Sequence, residues 1–312
     1  MNQPLNFSLM ASVSKLADEL DAQQFPQSAL YVIATPIGNV SDISLRALKV
    51  LNMVDAIACE DTRNTSQLLT RYGISKKCFA AHQHNERSVA EKIVQQLQEG
   101  LRIALVSDAG TPGISDPGAQ IVHAVLEAGL QVIPIPGASA AIAALSCSGF
   151  LSNEFYFVGF LPAKNKQREM ELAKLSNIKA TLVLYEAPHR IIETITSLAL
   201  VFGSERKILI ARELSKLFEQ IHRCSLGSAI TWFQQDENRQ RGEFVLLIEG
   251  AASLSSDEDS EAERILGILL EDCSVSQAAT LAARITGKKK NTLYELALAL
   301  QQKSDIAKDE NH

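Results

Sequence analysis

The fold is decided by the stretch Ser107-Asp108-Ala109-Gly110-Thr111-Pro112-Gly113-Ile114-Ser115-Asp116-Pro117-Gly118. It follows the mostly apolar run from Leu101 to Val106, which predicts a buried strand ending in a long loop rich in Gly and Pro. A strand-to-helix turn needs only ~2–6 residues, and this loop is longer and more polar than that. Because small molecules bind beyond the carboxyl ends of strands in open α/β sheets, we expect the loop to line a ligand cleft.

Two more loops of this kind follow apolar runs. Ala34-Thr35-Pro36-Ile37-Gly38-Asn39 comes after Leu30 to Ile33, and Pro136-Gly137-Ala138-Ser139-Ala140 comes after Val132 to Ile135. Helical patterns lie between the predicted strands, and Ser41 is the predicted N-cap of the first helix. This alternation predicts an α/β fold with a mostly parallel, helix-covered sheet. Gly and Pro also simply turn a chain, so that alternative stays open for any single loop.

The loops lack the two common phosphate-binding patterns. The sequence contains neither G-x-G-x-x-G at the start of a helix nor G-x-x-x-x-G-K-[ST]. A dinucleotide dehydrogenase and an NTPase are therefore disfavoured. The loops better fit a cofactor whose adenosine and amino-acid parts are held by backbone contacts, such as S-adenosylmethionine.

Composition limits size, location and partners. The 312 residues suffice for two core-forming domains and an appendage. No apolar stretch approaches the ~20 residues of a membrane span and no signal-peptide pattern is present, which predicts a cytosolic protein without a membrane partner. The net charge is −6, of which residues 1–25 carry −2 and residues 251–312 carry −4, so residues 26–250 are neutral. A nucleic acid would have to be bound by local clusters of Lys and Arg.

The cysteines indicate neither a zinc site nor a disulfide framework. There are five of them, an odd number, and none forms C-x-x-C. His82 and His84 form an H-x-H pair, but no Cys or carboxylate cluster of standard spacing accompanies them, so no permanent metal site is predicted.

Changes in composition predict the domain boundaries. We expect a flexible extension over residues 1–27, an α/β domain over 28–149, a second α/β domain over 150–250 and a solvated linker over 251–260. A helical module over residues 261–303 and a tail over 304–312 complete the chain. The module contains a capped helix start at Ser274, a turn at Gly287 and a second helix after Lys288-Lys289-Lys290, which is typical of a helix-turn-helix. A plain pair of antiparallel helices remains the alternative.

Five segments of the chain carry a resemblance to a known family: Leu30 to Asn39, Cys59-Glu60-Asp61-Thr62-Arg63, Ser107 to Pro112, Tyr185-Glu186-Ala187-Pro188-His189-Arg190 and Ala211-Arg212-Glu213-Leu214-Ser215-Lys216. With these segments the sequence resembles the ribosomal RNA small subunit methyltransferase I family of the tetrapyrrole-methylase superfamily. The resemblance spans about Leu30 to Gly250 and extends to the helical tail. It departs at Asn64, and the first 25 residues match nothing.

The resemblance implies a function. It implies a two-domain α/β fold with S-adenosylmethionine in the cleft between the domains, and a homodimer. It also implies 2′-O-methylation of the ribose of a decoding-centre cytidine, cytidine 1402, in 16S rRNA within the 30S subunit. The cofactor-binding residues carried over by resemblance are Pro36, Ile37, Asp108, Gly110, Ile114, Ser139, Ala140, Tyr185, Ala211 and Phe244. Asp108 could instead cap its own turn.

A ribose hydroxyl is a weak acid, so a base or a nearby cation would help its reaction. The candidate catalytic residues are Glu60, Asp61, Arg63, His84, Glu86, Arg190 and Lys216, with Arg212 and Glu213 beside them. Two alternatives stay open: Glu60 to Arg63 could form a helix cap and a solvated ion pair, and His84 to Glu86 could cap a helix. The cations available for RNA are Arg63, Arg71, Arg87, Lys164, Lys166, Arg168, Arg190, Arg212, Lys216 and the three lysines at 288–290.

Two other functions remain open. One is methylation of a corrin or porphyrin precursor by an enzyme of the same superfamily. The other is a cofactor-binding ribosome assembly factor without catalysis.

Overall fold

The computed structural model of the protein describes residues 16–82, 85–251 and 255–309. The chain forms two compact units, one up to Gly250 and one from Ala251. Residues 16–21 are helical (α1). In the parts of the chain that are described, no helix is long and apolar enough to cross a membrane.

The first sheet carries the three predicted loops. Its five strands are all parallel and lie in the order β3-β2-β4-β1-β5. Short runs rich in Ile, Leu, Val and Ala form the central strands, which are buried on both faces because helices cover the sheet. The elements are β1 (Ala29–Ile33), α2 (Leu45–Met53), β2 (Ala56–Cys59), α3 (Thr62–Arg71), β3 (Cys78–Ala80), α4 (Glu86–Gln98), β4 (Arg102–Val106), α5 (Ala119–Glu127), β5 (Gln131–Ile135) and α6 (Ala140–Ser146).

The start of α2 corrects one prediction. Ser44, rather than Ser41, is the N-cap, and its side chain accepts a hydrogen bond from the Ala47 amide. Ser41 lies in a short 3-10 helix capped by Asn39. Two serines three residues apart both satisfy the capping pattern, and the apolar positions Ala47, Val50 and Leu51 fit the later start.

The second sheet is mixed. It has the order β6-β7-β10-β8-β9, in which only the β6–β7 pair is parallel. Its elements are β6 (Phe155–Phe160), α7 (Asn165–Leu175), β7 (Thr181–Glu186), α8 (Ile191–Phe202), β8 (Lys207–Arg212), β9 (Gln220–Ser225), α9 (Leu226–Gln234) and β10 (Phe244–Ile248). Helix α6 follows the last strand of the first sheet in the chain but packs Ala141 and Ala144 against Val183, Ala211 and Val245 of the second sheet. The domain boundary predicted at 149/150 lies between the two sheets and stays a prediction.

The second unit is helical. It contains α10 (Ser255–Asp272), α11 (Val275–Thr286) and α12 (Lys290–Asp309). Ser274 and Gln277 form a capping box at the start of α11, and Gly287 ends it in the left-handed conformation. The predicted linker over 251–260 and tail over 304–312 are wrong in part, because α10 already begins at Ser255 and α12 continues to Asp309. Acidic residues stabilise the first turn of a helix, so a Ser/Asp/Glu run fits a helix start as well as a linker.

Candidate functional site

The three loops lie together at the carboxyl ends of the parallel strands. Thr35 and Gly110 form an antiparallel bridge, with N–H···O distances of 2.8 and 3.0 Å, which joins the first loop to the second. The Thr111 hydroxyl donates to the Ala138 carbonyl at 3.1 Å, which joins the second loop to the third. These bonds fix the loops as one surface.

The second loop also contacts the second sheet. Gly159 lies at a bulge in β6, and a Cβ there would lie 2.8 Å from the Ser115 hydroxyl oxygen. Ser115 itself has a φ of 65°, in the left-handed region that few residues other than Gly adopt. Gly159 has a φ of 71°, so its backbone conformation as well as the close approach of Ser115 favours glycine at this position.

A cavity of about 370 Å³, here called the central cavity, opens between the three loops and the second sheet. Its volume lies in the ~300–1,000 Å³ range of ligand pockets. Eight of the ten predicted cofactor residues line it: Ile37, Gly110, Ile114, Ser139, Ala140, Tyr185, Ala211 and Phe244. The other lining residues are Ala109, Thr111, Asp116, Phe160, Glu186, Ala187, Pro188, Leu214, Glu243 and Val245.

The lining fits a ligand with a flat apolar part and several polar groups. Gly110 has a φ of 76°, a left-handed conformation that favours glycine, and a Cβ there would be in ordinary contact with the Ile37 side chain at 3.5 Å. Tyr185 packs edge-on against Phe157 and Phe160, at ring distances of 5.2 and 5.8 Å. Its hydroxyl oxygen accepts from the Ala141 amide at 3.3 Å, which leaves its proton available to a ligand. Burial raises the pKa of Tyr185, so this proton is retained.

Two predicted cofactor residues, Pro36 and Asp108, do not line the central cavity. The Asp108 carboxylate accepts from the Asp61 amide at 3.1 Å and from the Asn64 side-chain amide at 2.7 Å. Asp108 thus anchors the second loop to the start of α3. This contact differs both from the predicted ligand contact and from a cap of its own turn.

The segment from Glu60 to Arg63 forms the start of α3. Asp61 is the N-cap, and its carboxylate accepts from the Arg63 amide at 2.8 Å and pairs with the Arg63 guanidinium at 2.9 Å. The Arg63 hydrogen bonds lower the pKa of Asp61 to about 2. These contacts match the alternative of a helix cap with a solvated ion pair, and the Arg63 side chain is 85% exposed.

Glu60, Asp108 and Asp116 form a group of three carboxylates beside the cavity. Glu60 is the member that was predicted to be catalytic. Its pKa is raised by partial burial and by the negative charges of Asp108 and Asp116. Asp116 lines the cavity. Burial raises its pKa, and this effect outweighs a hydrogen bond with Ser107 that lowers the pKa. Asp116 was not among the predicted catalytic residues, because the loop motif offered it only as one turn-forming polar residue among several.

Glu86 and His84 do not extend this group. Glu86 is buried, and one of its carboxylate oxygens accepts from the Gly118 and Gln120 amides at 2.8 and 2.9 Å. It therefore caps α5 and holds the end of the second loop, and it does not line the central cavity. His84, the other candidate in this segment, lies outside the described residues.

Arg190 forms an ion pair with Glu186 at 3.2 Å and donates to the Leu161 carbonyl at 2.6 Å. Glu186 is almost fully buried and also accepts from the Thr194 hydroxyl at 2.6 Å. Lys216 pairs with Glu213 and with Glu243, both at 2.8 Å. Glu186 and Glu243 line the cavity, whereas Arg190 and Lys216 do not line it and are each paired with one of these carboxylates.

Two of the arginines that were predicted to bind RNA are buried and hydrogen-bonded to other groups of the protein. The side chain of Arg168 is 1% exposed and bonds to Ser197 and Asn165 within the helical layer. Arg212 is buried and donates to the carbonyls of Arg241 and Phe218. A charge count along the sequence cannot separate such interior arginines from surface ones. Among the described residues, no group of three or more His, Cys, Asp or Glu could hold a metal ion.

Comparison with known proteins places this geometry in a class. A sequence model of tetrapyrrole (corrin/porphyrin) methylases matches residues 29–230. Among solved structures, a uroporphyrin-III-C-methyltransferase from Thermus thermophilus aligns with a TM-score of 0.51 at 17% identity, over 74% of this chain and 98% of its own. Cobalt precorrin-4 methyltransferase aligns with a TM-score of 0.52 at 15% identity, over 73% and 98%. The chain thus has the tetrapyrrole-methylase fold, which confirms the predicted fold class.

Relatives of higher sequence identity show which family of tetrapyrrole-methylase-like proteins the chain belongs to. Ribosomal RNA small subunit methyltransferase I of Escherichia coli O157:H7 is 47% identical over 88% of this chain and 96% of its own length. The protein of that name from Vibrio cholerae is 47% identical over 89% and 98%. A model of the C-terminal helix-turn-helix domain of these enzymes matches residues 256–301. The chain belongs to the ribosomal RNA small subunit methyltransferase I family, and the resemblance drawn from its motifs is confirmed.

Proposed function

We propose that this protein transfers a methyl group from S-adenosylmethionine to the ribose 2′-hydroxyl of a decoding-centre cytidine in 16S rRNA. The observation that carries the proposal is the central cavity itself, a ligand-sized space at the carboxyl ends of the strands in a chain that is 47% identical to rRNA methyltransferases. The proposed setting is the cytoplasm, with the 30S subunit as substrate and a homodimer as the working form.

The lining residues divide into two groups for holding the cofactor. The backbone of the first and second loops, at Ile37, Gly110 and Ile114, and the hydroxyls of Ser139 and Tyr185 supply polar contacts. Ala211, Phe244 and Val245 of the second sheet supply the apolar floor. When bound, the sulfonium cofactor supplies an already activated methyl carbon. The protein then has mainly to orient the attacking oxygen and exclude water.

Asp116 is the best-placed acceptor for the proton of the ribose hydroxyl. Of the three carboxylates that line the cavity, Glu186 is paired with Arg190 and Glu243 with Lys216, which leaves Asp116. Outside the lining, Asp61 is engaged by Arg63 and Glu86 by two backbone amides. The raised pKa of Asp116 makes it a stronger base than an exposed aspartate. Glu60, beside it, keeps the local charge negative, and the pKa of each carboxyl is raised further by acidic neighbours.

The test is transfer of labelled methyl from S-adenosylmethionine to 30S subunits taken from cells that lack this protein. The modified nucleoside is identified by mass spectrometry, and we expect 2′-O-methylcytidine. Free 16S rRNA, tested in parallel, shows whether the assembled subunit is needed. Cofactor binding without transfer to either RNA would contradict the proposal.

A tetrapyrrole substrate is tested in the same preparation. The structural likeness to corrin and porphyrin methylases is below 20% identity and shows the fold alone. Titration with a porphyrin precursor should leave its absorbance spectrum unchanged. Methyl transfer to the precursor would favour that alternative instead.

A further inference from the structure

A second depression lies on the other side of the end of β8 from the central cavity. It has a volume of about 720 Å³, and we call it the Phe218 groove. The strand end separates the two spaces, because Ala211 and Leu214 line the central cavity while Arg212 and Glu213 line the groove. The remaining lining residues are Leu217, Phe218, Glu219, Gln220, Asp236, Asn238, Arg239, Arg241 and Gly242.

The loop that forms one wall is held rigidly. Its residues Glu213 and Ser215 have positive φ values of 52° and 67°, which are strained for residues other than Gly. Lys216 pairs with Glu213 and Glu243, the Ser215 amide donates to Glu219 at 2.6 Å, and the Ser215 hydroxyl bonds to Asp42. Buried Arg212 donates to the carbonyls of Phe218 and Arg241, at 3.0 and 2.6 Å, and so ties both walls to the floor.

This rigid loop presents two large apolar side chains to solvent. Leu217 is 89% exposed and Phe218 is 66% exposed. Exposed apolar side chains on a loop fixed by strained backbone gain little from packing in the free protein, which is typical of a binding surface. Flexibility of the loop does not account for them, because four side-chain contacts fix it.

Among the described residues the groove is lined by three carboxylates and three guanidinium groups, so its formal charges balance, and its one free guanidinium favours a ligand that has a planar part and a single anionic group. Its carboxylates are engaged, Glu213 by Lys216 and the Glu243 amide, Glu219 by the Ser215 amide, and Asp236 by the Asn238 amide. Arg241, by contrast, is exposed and its guanidinium has no hydrogen-bond partner among the described residues. One unengaged guanidinium next to an exposed aromatic ring matches a phosphate next to a base.

We propose that the Phe218 groove binds an unpaired nucleotide that flanks the methylated cytidine, with its base stacked on Phe218 and its phosphate on Arg241. This inference rests on the proposed function, since it supposes an RNA strand that passes from the central cavity over the end of β8. The role of the Phe218 groove is to hold the RNA strand so that the target ribose enters the central cavity. The groove residues are therefore binding residues, and they act on substrate affinity rather than on the chemical step.

The first test measures binding without catalysis. Trp232, the only tryptophan of the chain, lies beneath Arg239 of the groove at 4.7 Å and reports on it by fluorescence. The full-length protein is titrated with an unstructured hexaribonucleotide of alternating uridine and cytidine. Since stacking of one base on an aromatic ring is worth ~1–3 kcal/mol, we expect Phe218→Ala to raise Kd about 5-fold or more. Phe218→Tyr should retain the wild-type affinity. Arg241→Ala should lower the affinity and make binding less dependent on the salt concentration.

Matched controls remove an exposed aromatic ring and an exposed cation elsewhere. Phe155→Ala removes an aromatic ring that is 50% exposed on β6, at the opposite edge of the sheet. Lys207→Ala removes an exposed charge at the far end of β8. Both should bind the oligonucleotide like the wild type. Equal affinity in the wild type, Phe218→Ala and Arg241→Ala would overturn the proposal.

The second test uses methyl transfer to 30S subunits. Phe218→Ala should raise KM about 5-fold or more with kcat little changed, since the groove contributes stacking and not chemistry. Cofactor affinity by calorimetry should be unaffected. A change in sedimentation from dimer to monomer in Phe218→Ala would instead identify the groove as covered by a second copy, and would overturn the proposal. If oligonucleotide binding depends on Phe218 but the protein methylates no RNA, nucleotide binding in the Phe218 groove is supported and the proposed function is contradicted.

Discussion

Asp116 and Glu60 differ at the scale of single residues, although both carry raised pKa values. Only Asp116 lines the central cavity. Asp116→Asn keeps the shape and removes the proton acceptor, so we expect kcat to fall by ~10²-fold or more, the range for loss of a general base. Single-turnover methyl transfer measures this, with calorimetry to show that cofactor affinity is retained.

The pH profile separates a base from a structural residue. A base works when ionised, so the wild-type rate should fall as the pH drops through the raised pKa of Asp116, and this acidic limb should vanish in Asp116→Asn. Glu60→Gln is the matched control and should keep the limb. A larger loss of rate in Glu60→Gln than in Asp116→Asn would move the role to Glu60.

Asp61 gives a prediction on stability. Its pKa is lowered to about 2 in the folded protein by the Arg63 hydrogen bonds, below the value of ~3.9 for an unfolded chain. A lowered folded pKa stabilises the fold above the unfolded value, and this contribution is lost as the pH falls toward 2. Urea unfolding should therefore show a smaller loss of stability between pH 5 and pH 2 for Asp61→Asn than for the wild type. Parallel pH profiles would show that the helix cap does not depend on this charge.

At the scale of elements, Glu86 connects three of them. It begins α4, and its carboxylate accepts from the amides of Gly118 and Gln120, where the second loop enters α5. Removing a buried charged acceptor leaves these donors unsatisfied, so Glu86→Ala should lower the free energy of unfolding by about 2–4 kcal/mol. Glu86→Gln, which retains an oxygen acceptor, should lose less. Chemical denaturation measures both, and an equal loss would indicate that packing, not hydrogen bonding, is what Glu86 provides.

The elements also show what the sequence could predict. The three loops and their strands carry strong apolar runs followed by Gly and Pro, so they could be located from the residues alone. The eight predicted residues that line the cavity were identified through the family resemblance. Strand β9 reads Gln220-Ile221-His222-Arg223-Cys224-Ser225 and is mostly polar, because it lies at a sheet edge and only its pairing with β8 makes it a strand. The engagement of Glu86, Asp108 and Arg168 could not be predicted, because each contacts residues distant in the sequence.

At the scale of the whole molecule, the helical unit after Gly250 carries the lysines at the start of α12. Their side chains lie in a module that the C-terminal helix-turn-helix model of the family matches. If this unit extends the RNA-binding surface, Lys289 and Lys290 should each contact phosphate. Replacing both by Gln in the full-length protein should then reduce the slope of log K against log salt by ~0.7 for each lost contact with single-stranded RNA.

The measurement is binding to 30S subunits at several salt concentrations, with Lys76→Gln and Lys77→Gln as a control that also removes two adjacent lysines. The control pair precedes β3 in the first unit and should leave the slope unchanged. A loss of affinity with an unchanged slope in the Lys289 and Lys290 variant would indicate altered folding of the helical unit. Unchanged affinity and slope would confine RNA binding to the first unit, in which Arg63 and Arg241 are exposed cations.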